Sequence, residues 1–413
     1  MNSRSPGDLA FGDMAVQAEP IQASPSGEAP LTVMQVVPQL NIGGVERGAL
    51  EMTEAIVAAG GRALVATAGG TQSLRITKAG GELVLLDAAS KNPWTIWRNA
   101  ARLERLIAEQ RVDLVHARSR APAWSAWMAC TRSATPFVTT YHGTYREDLP
   151  FKRRYNAVMA RGRPVIAISE FIRELIKQRH QVLDDQIVVI PRGADIAVFS
   201  EEMVGNERTV KLAEAWGMLD DPRPILMMPG RLTRWKGAES VIDAAARLKA
   251  QRGKSDFLIL IVGDGDAGFT ATLDQQIGDL EVTDCVHRVG NCTDMAAAYK
   301  LASVVMSASI EPEAFGRVVV EAQAMGRPVI ATDHGGARET VQHGITGWRY
   351  PPGDADRLAE QMNQALNMDA SERAHMGMAA RARMHARYTI SSMQQATLAV
   401  YEDATGRSFA RPV

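Results

Sequence analysis

The sequence predicts an α/β protein built from two doubly wound domains, each with a parallel sheet between layers of helices. Short β-branched runs alternate with helical stretches from Leu31 onward, and near-continuously apolar strands separated by helices are typical of a parallel sheet covered on both faces. The alternation pauses around residues 199–221 and then restarts, which predicts two sheets facing each other across a cleft. A length of 413 residues also fits two domains better than one core.

The predicted elements form two groups along the chain. β-branched runs predict seven strands in the first group, at 33–37, 63–67, 83–87, 112–116, 137–140, 165–168 and 187–190. Helical stretches such as 45–59, 95–110 and 170–179 lie between them. Five further strands are predicted in the second group, at 225–228, 257–262, 286–289, 304–306 and 328–331, each followed by a helical segment. Residues 354–405 are predicted to be helical and to pack across both halves.

Composition excludes several classes of protein. The 46 Lys and Arg residues balance 47 Asp and Glu, and this near-neutral net charge argues against a nucleic-acid binder. No apolar run reaches the roughly 20 residues of a membrane-spanning helix. The three cysteines cannot form a disulfide framework, which favours a reducing compartment and predicts a cytoplasmic protein. Residues 1–29 lack the pattern of a signal peptide and are predicted to be a disordered leader.

The first candidate ligand loop is Gly43-Gly44-Val45-Glu46, which lies between a predicted strand and a predicted helix. Glycine lets a ligand approach the backbone closely, and the N-terminus of a helix offers unpaired N–H donors to an anion. Gly44 is therefore a candidate phosphate contact. Tight strand-to-helix turns also need glycine for steric reasons, so both interpretations stay open.

The second candidate loop is Gly230-Arg231-Leu232-Thr233-Arg234-Trp235-Lys236-Gly237, after the first strand of the second group. Arg231 and Lys236 are five residues apart in a loop that precedes a helix. Two charge-assisted contacts and a helix dipole favour the same anion, so the loop suits a diphosphate. The alternative is a solvated basic loop.

The third motif carries two carboxylates, Glu313 in a loop and Glu321 on the helix that follows. Carboxylates in a cleft accept hydrogen bonds from sugar hydroxyls, and the helix N-terminus at Gly316 favours an anion. His142, in Tyr141-His142-Gly143, lies at the carboxyl end of another predicted strand, where a side chain faces the cleft. The loop 333–339 is a further glycine-rich candidate.

A basic segment lies at residues 151–163, where Lys152, Arg153, Arg154, Arg161 and Arg163 occur without an acidic residue. The segment is predicted to be a helix, with Arg154 and Arg161, seven residues apart, on one face. Such a face suits an anionic membrane surface or a phosphorylated ligand, and a merely solvated face is the third possibility.

The order of these motifs, Gly-Gly-x-Glu, Tyr-His-Gly, Gly-Arg-x4-Lys-Gly and Glu-x-Phe-Gly-x4-Glu, resembles glycosyltransferase family 4 over residues 31–390. Members of that family are retaining GT-B enzymes. The sequence also resembles bacterial lipopolysaccharide-core and lipid-linked sugar transferases. The resemblance implies a Rossmann-like acceptor domain at 30–205, a Rossmann-like nucleotide-sugar domain at 206–390, and a C-terminal helix at 391–413 that returns to the first domain.

The resemblance also implies roles for particular residues. Arg231 and Lys236 would hold the diphosphate of a nucleotide-sugar, Glu321 the ribose hydroxyls and Glu313 the donor sugar. The donor site would further include the backbone N–H groups of Phe315 and Gly316, and Gly44 beside the distal phosphate. His142 would lie beside the reacting sugar, with His142, Arg231, Lys236 and Glu313 as the catalytic set. No metal cofactor is implied, and Arg317 departs from the family's usual aliphatic residue.

The function expected on these grounds is transfer of a hexose from a nucleotide-sugar to a glycan or lipid-linked acceptor, in cell-envelope polysaccharide or lipopolysaccharide-core synthesis. The expected location is the cytoplasm, including the inner face of the membrane. A GT-B phosphorylase, a sugar-nucleotide epimerase and a non-catalytic carbohydrate-binding protein are the alternatives.

Overall fold

The computed structural model describes residues 29–41 and 43–410. It contains a seven-stranded and a six-stranded sheet, and every pairing within them is parallel. The prediction of an α/β fold with two doubly wound sheets is therefore confirmed. The predicted leader lies outside the described residues except for Ala29.

The first half forms the seven-stranded sheet, in the order β3-β2-β1-β4-β5-β6-β7. Its elements are β1 (Thr32–Val36), α1 (Gly44–Ala58), β2 (Arg62–Thr67), α2 (Ser73–Lys78), β3 (Glu82–Leu85), α3 (Pro93–Glu109), β4 (Leu114–Ala117), α4 (Arg120–Ser133), β5 (Phe137–Tyr141), α5 (Pro150–Asn156), β6 (Val165–Ala167), α6 (Glu170–His180) and β7 (Ile187–Val189).

After α7 (Asn206–Ala215), the second half forms the six-stranded sheet, in the order β10-β9-β8-β11-β12-β13. Its elements are β8 (Ile225–Pro229), α8 (Ala238–Arg252), β9 (Leu258–Val262), α9 (Ala267–Asp279), β10 (Val286–Gly290), α10 (Met295–Leu301), β11 (Val304–Ser307), α11 (Arg317–Ala324), β12 (Val329–Thr332), α12 (Ala337–Thr340), β13 (Gly347–Tyr350), α13 (Ala355–Asn367), α14 (Ala370–Arg387) and α15 (Ile390–Thr405).

Both sheets change winding direction at their first strand. β1 lies between β2 and β4, and β8 lies between β9 and β11. In open parallel sheets, ligands bind in the crevice at such a point, beyond the carboxyl ends of the strands. Every residue of β8 and β11 is buried, so the crevice of the second half is formed by the loops that follow these strands.

The last strand, β13, is absent from the sequence prediction. Its sequence Gly-Trp-Arg-Tyr lacks the apolar β-branched run that marks the other strands. It forms because Trp348 and Tyr350 are 2% exposed and pack into the core of the second half while the strand pairs with β12.

The C-terminal helices cross from the second half to the first. α14 packs on α11 and α15 packs on α1. At the crossing, Ala194 N donates to Tyr388 O at 2.8 Å and Ile390 N donates to Ala194 O at 3.1 Å. Gln394 Nε2 then donates to Glu51 O of α1 at 2.7 Å. The return of the last helix to the first half places it directly behind the crevice.

Candidate active site

The loop after β8 and the loop after β11 meet at the crevice of the second half. Gly237 has a φ of +77° and lies so close to Ala308 that an added Cβ would be 2.0 Å from the Ala308 carbonyl oxygen. Only glycine permits both the left-handed conformation and this contact. The close approach brings Lys236 beside Glu313, with 2.6 Å between Nζ and Oε1.

Glu313 is held as a carboxylate in this half-buried position. Ser309 Oγ and Ser307 Oγ also donate to its Oε1, the latter at 3.4 Å. Burial acts to raise the pKa of Glu313, but the Lys236 ammonium and the two hydroxyls outweigh burial and hold that pKa below its usual range. Lys236 and Glu313, which the sequence places in different motifs, thus form one charged pair.

The two arginines of the loop after β8 differ in their surroundings. Arg231 is exposed at the end of β8. Arg234 is also exposed and is paired with Glu239 of α8 at 2.8 Å. The predicted solvent-facing orientation of Arg234 agrees with this pairing, and Arg231 remains available on the same loop as Lys236.

The loop before α11 presents backbone groups to the crevice. Gly316, with a φ of +85°, is the N-cap residue of α11 and makes no side-chain cap. Phe315 is 3% exposed and packs edge-on against Tyr388. Gly336 N donates to Glu313 O at 2.8 Å, so the glycine-rich loop 333–339 supports this loop from behind.

Glu321 lies one turn into α11 and is 7% exposed. Tyr299 Oη donates to its Oε2 at 3.1 Å, and Arg47 Nη1 of the first half lies 3.4 Å from its Oε1. Burial raises the pKa of Glu321, while the Arg317 and Arg47 cations act in the opposite direction.

Ion pairs link α1 and α11 across the cleft, and the sequence analysis did not predict them. Within α1, Arg47 Nε lies 3.1 Å from Glu51 Oε1; within α11, Arg317 Nε lies 3.7 Å from Glu321 Oε1. Arg47 also reaches Glu321, and Arg317 Nη2 donates to Glu51 Oε1 at 3.1 Å. The available signal was the Arg-x3-Glu spacing that both helices share. Arg317, whose role the sequence left undecided, bridges the two halves.

In the first half, Gly44 and His142 both lie within hydrogen-bond distance of Arg192, which the sequence analysis also missed. Arg192, after β7, is 5% exposed and donates from Nη2 to Gly44 O at 2.8 Å. The same Nη2 lies 3.4 Å from His142 Nδ1. Burial, followed by the charges of Arg192 and Arg118, lowers the pKa of His142 well below its usual value. His142 is therefore neutral at physiological pH.

Further contacts hold the two halves together beside these residues. Ser169 Oγ donates to Ala314 O at 2.6 Å, next to Glu313 in the chain. Arg146, in the loop that begins at His142, lies 3.2 Å from Glu311. The contact of Arg146 joins the His142 loop to the Glu313 loop, and the contact of Ser169 joins the start of α6 to the same loop of the second half.

The basic segment at 151–163 lies elsewhere. The prediction of one continuous helix is wrong, because α5 ends at Asn156 and a 3₁₀ helix spans Ala157–Ala160. Arg154 and Arg161 nevertheless line one cavity of about 850 Å³, together with Arg153 and Arg179. Some of these charges are already engaged. Lys152 pairs with Asp148 at 2.8 Å, Arg153 Nη2 donates to Arg179 O at 2.6 Å, and the Arg161 guanidinium lies 3.9 Å from the centre of the Trp127 ring.

Two features are absent from residues 29–41 and 43–410. Within that part of the chain, no three His, Cys, Asp or Glu side chains are grouped as metal ligands. In the same part, no helix has the length and apolarity needed to cross a membrane.

This arrangement combines cations, backbone N–H donors and carboxylates around one cleft. Arg231, Lys236 and the N-terminus of α11 attract an anion in the second half. Glu313 and Glu321 accept hydrogen bonds from hydroxyl groups. An anion attached to a polyhydroxylated molecule fits this combination.

Two family models match the chain, one on each half. The model described as Glycosyltransferase Family 4 matches residues 42–198, and the model described as Glycosyl transferases group 1 matches residues 216–383. The first match covers β2 to β7 and the second covers β8 to β13.

A crystal structure of a glycosyltransferase from Rickettsia africae is similar over nearly the whole chain. It is 33% identical with a TM-score of 0.84, and the match covers 92% of this chain and 100% of the Rickettsia chain. A phosphatidyl-myo-inositol mannosyltransferase of Mycobacterium leprae is 28% identical over 73% of this chain and 76% of its own length. A D-inositol 3-phosphate glycosyltransferase of Pseudarthrobacter chlorophenolicus is 34% identical, but over only 48% of this chain and 45% of its own length.

Proposed function

The chain belongs to the group 1, family 4 glycosyltransferases with the GT-B fold, and we propose that it transfers a hexose from a nucleotide-sugar, with retention of anomeric configuration, to a glycan or lipid-linked acceptor. The observation that carries this proposal is the Lys236–Glu313 pair at 2.6 Å, beside Arg231 and the N-terminus of α11. A cation for the diphosphate and a carboxylate for the sugar are thereby adjacent, as the two parts of a nucleotide-sugar require.

The donor would lie across the crevice of the second half. Lys236 and Arg231 would bind the diphosphate, with the N–H groups around Phe315 and Gly316 added at the N-terminus of α11. Glu313 would accept hydrogen bonds from the sugar, and Glu321 from the ribose. Glu321 already accepts from Tyr299 on Oε2, so its second oxygen is the one that faces Arg47 and the cleft.

The first half would complete the site from the opposite wall. The proposed contact of Gly44 with the distal phosphate is supported by its place at the N-terminus of the 15-residue helix α1. His142 would lie beside the reacting sugar. Its neutral imidazole is suited to hydrogen bonding with a hydroxyl or phosphate oxygen rather than to ion pairing.

The proposed reaction breaks the bond between the anomeric carbon and the diphosphate oxygen. An acceptor hydroxyl attacks that carbon on the face from which the diphosphate leaves, and its proton passes to an oxygen of the departing diphosphate. Negative charge grows on the leaving group, where the preplaced Lys236 and Arg231 stabilise it. These cations would provide charge neutralisation without a metal cofactor, and this route needs no protein nucleophile.

The acceptor classes proposed are phosphorylated or lipid-linked sugars and polyols. The names of two relatives, a D-inositol 3-phosphate glycosyltransferase and a phosphatidyl-myo-inositol mannosyltransferase, support an acceptor that carries a phosphate. The sequence resemblance to lipopolysaccharide-core transferases favours a growing cell-envelope glycan. Both classes carry negative charge. The surface of the first half around Arg153, Arg154 and Arg161 carries positive charge and would suit either class.

That surface is the basis for proposing attachment to the cytoplasmic face of a membrane. Beside the cavity lined by Arg153, Arg154 and Arg161 stands Phe151, which is 64% exposed. Exposed aromatic and basic side chains together favour an anionic bilayer surface. The free thiols of the three cysteines are typical of a reducing compartment.

Sedimentation with vesicles tests the membrane proposal. The wild type should sediment with anionic vesicles at low salt and less at high salt, because exposed charges are screened. Replacing Arg153, Arg154 and Arg161 by Glu should release it, and replacing the distant Arg357 by Glu should not. If the wild type stays in the supernatant at low salt, the proposal is wrong.

The donor is tested by thermal unfolding in the presence of UDP-, GDP- and ADP-sugars, since a ligand that binds only the folded state raises the melting temperature. The stabilising sugar is then incubated with phosphorylated, lipid-linked and glycan acceptors, and nucleoside diphosphate release and the product's anomeric configuration are measured. Retention supports the proposal, and inversion contradicts it. Reversible formation of a sugar phosphate would identify a phosphorylase, a changed sugar without transfer an epimerase, and binding without turnover a carbohydrate-binding protein.

A further inference from the structure

The guanidinium of Arg192 lies within hydrogen-bond distance of both Gly44 and His142. Its Nη2 donates to Gly44 O at 2.8 Å and lies 3.4 Å from His142 Nδ1. Gly44 begins α1 and His142 follows β5, so one guanidinium joins the start of α1 to the loop after β5.

The direction of the contact with His142 follows from chemistry. A guanidinium has only donors, so the nitrogen of His142 that faces it must accept. In a neutral imidazole, one nitrogen accepts and the other carries the proton. With Nδ1 as the acceptor, the proton of His142 resides on Nε2.

We propose that Arg192 is a positioning residue that fixes His142 in its Nε2–H form and holds the Gly44 loop, so that His142 donates a hydrogen bond to an oxygen of the bound nucleotide-sugar. The inference rests on the proposed function for the identity of the ligand. Its structural part, the tautomer of His142, does not.

The surroundings of His142 leave this donor without a partner among the described residues. Nε2 of His142 is buried and finds no hydrogen-bond partner in the part of the chain that the structure describes. Arg192, Arg118 and His116 are the charged or titratable groups that act on the pKa of the ring, and all three lower it. None of them offers a carboxylate that would stabilise the doubly protonated ring, so one proton remains and its position matters.

The protein also keeps space for this guanidinium. Gly48 lies in the middle of α1, and a Cβ at that position would be 2.5 Å from both Nη1 and Nη2 of Arg192. Glu51, one turn further, lies 4.0 Å from Nη1. Burial lowers the pKa of Arg192 to about 9, so Arg192 remains a cation at neutral pH. A side chain at Gly48 would displace the guanidinium without removing its charge.

Nitrogen NMR of the full chain with ¹⁵N-labelled histidine tests the tautomer without any substrate. The signals of His142 are assigned by their loss in His142→Gln. We expect a protonated Nε2 and an unprotonated Nδ1 in the wild type, a mixture of tautomers in Arg192→Gln, and recovery in Arg192→Lys. A wild-type His142 protonated on Nδ1, or a folded Arg192→Gln that keeps pure Nε2–H, would overturn the proposal.

Gly48→Ala keeps the test decisive if Arg192→Gln fails to fold. Alanine favours the helix, so α1 should persist while the guanidinium moves. We expect mixed tautomers and a fall in kcat/KM of about threefold to tenfold, which corresponds to one lost hydrogen bond. The matched control is Gly278→Ala in α9, where the added Cβ has no atom within 4 Å. Both kcat/KM and the tautomer should be unchanged there.

The outcomes separate this inference from the proposed function. Suppose that His142 is purely Nε2–H in the wild type, that Gly48→Ala loses this tautomer, and that the protein transfers no sugar. This result would leave the positioning role intact and contradict the transferase. Transfer at the wild-type rate in Gly48→Ala, with an unchanged tautomer, would leave the transferase intact and contradict the role of Arg192.

Discussion

Arg317 donates a hydrogen bond to Glu51 across the cleft, with 3.1 Å between Nη2 and Oε1, although 266 positions separate them in the chain. Glu51 also lies near Arg47 and Arg192, at 3.1 and 4.0 Å. Three arginines thus surround the carboxylate of Glu51. Even with Glu321 as the second carboxylate of the cluster, three positive charges face two negative charges. Uncompensated buried charge is costly, and a bound diphosphate would offset that cost.

The coupling between Arg317 and Glu51 is testable by a double-mutant cycle. Arg317→Gln and Glu51→Gln should each lower kcat/KM, because each removes the charged contact that joins the two halves across the cleft. The double variant should be less impaired than the sum of the two predicts, with a coupling of about 0.5–3 kcal/mol. The control cycle is the exposed pair Arg357 and Glu360, at 2.6 Å on α13, which should show almost none. Additive effects of Arg317 and Glu51 would contradict the bridging role.

The same arginine should set the pH dependence of nucleotide binding. In the proposed site, the cleft-facing oxygen of Glu321 accepts hydrogen bonds from the ribose best when Glu321 is ionised, so affinity should fall as pH drops through its pKa. Burial raises that pKa and Arg317 acts to lower it, so Arg317→Leu should move the loss of affinity to higher pH.

Calorimetric titration of the stabilising nucleoside diphosphate between pH 5 and pH 8 measures this shift. Arg234→Ala is the control, since Arg234 pairs with Glu239 outside the cluster and should keep the wild-type profile. A movement to lower pH in Arg317→Leu would contradict the assignment of Glu321.

A third prediction concerns the contact between α6 and the second half. The carboxylate of Glu339 accepts hydrogen bonds from Glu170 N at 2.9 Å and from Phe171 N at 2.7 Å, which caps α6 across the cleft. Glu339→Ala should lower the free energy of unfolding by about 0.5–2 kcal/mol, the usual cost of losing a cap. The control is Glu207→Ala on the exposed surface of α7, which should change it by less than about 0.5 kcal/mol. Equal effects in urea unfolding would contradict the capping role.

Most of the fold could be predicted because buried parallel strands have a distinctive sequence. β9 reads Leu-Ile-Leu-Ile-Val and is fully buried, and its predicted and observed bounds differ by one residue at the start. β13 could not be predicted, because its burial depends on Trp348 and Tyr350 packing into a core that other segments form. The single helix predicted across 151–163 is wrong. The α-helix α5 ends at Asn156, and a short 3₁₀ helix follows at Ala157–Ala160.

The site was predictable only where a motif is local. Lys236 and Glu313 each stand in a recognisable loop, but their 2.6 Å contact depends on how closely Gly237 approaches Ala308. Arg192 carries no local signal, because its partners Gly44 and His142 are 148 and 50 residues away. Long-range contacts of this kind arise from the arrangement of the strands and not from spacing along the chain.

The most direct test of the central claim compares the release of nucleoside diphosphate by the wild type with that by Lys236→Ala, Arg231→Ala and Arg234→Ala. In the proposed site, each of the first two variants lacks a charge-assisted contact to the leaving group of about 1.5–3 kcal/mol, so transfer should slow by roughly one to two decades. Arg234→Ala should transfer at nearly the wild-type rate, because Arg234 faces solvent on the same loop. Wild-type transfer by Lys236→Ala together with an inactive Arg234→Ala would contradict the account of this site.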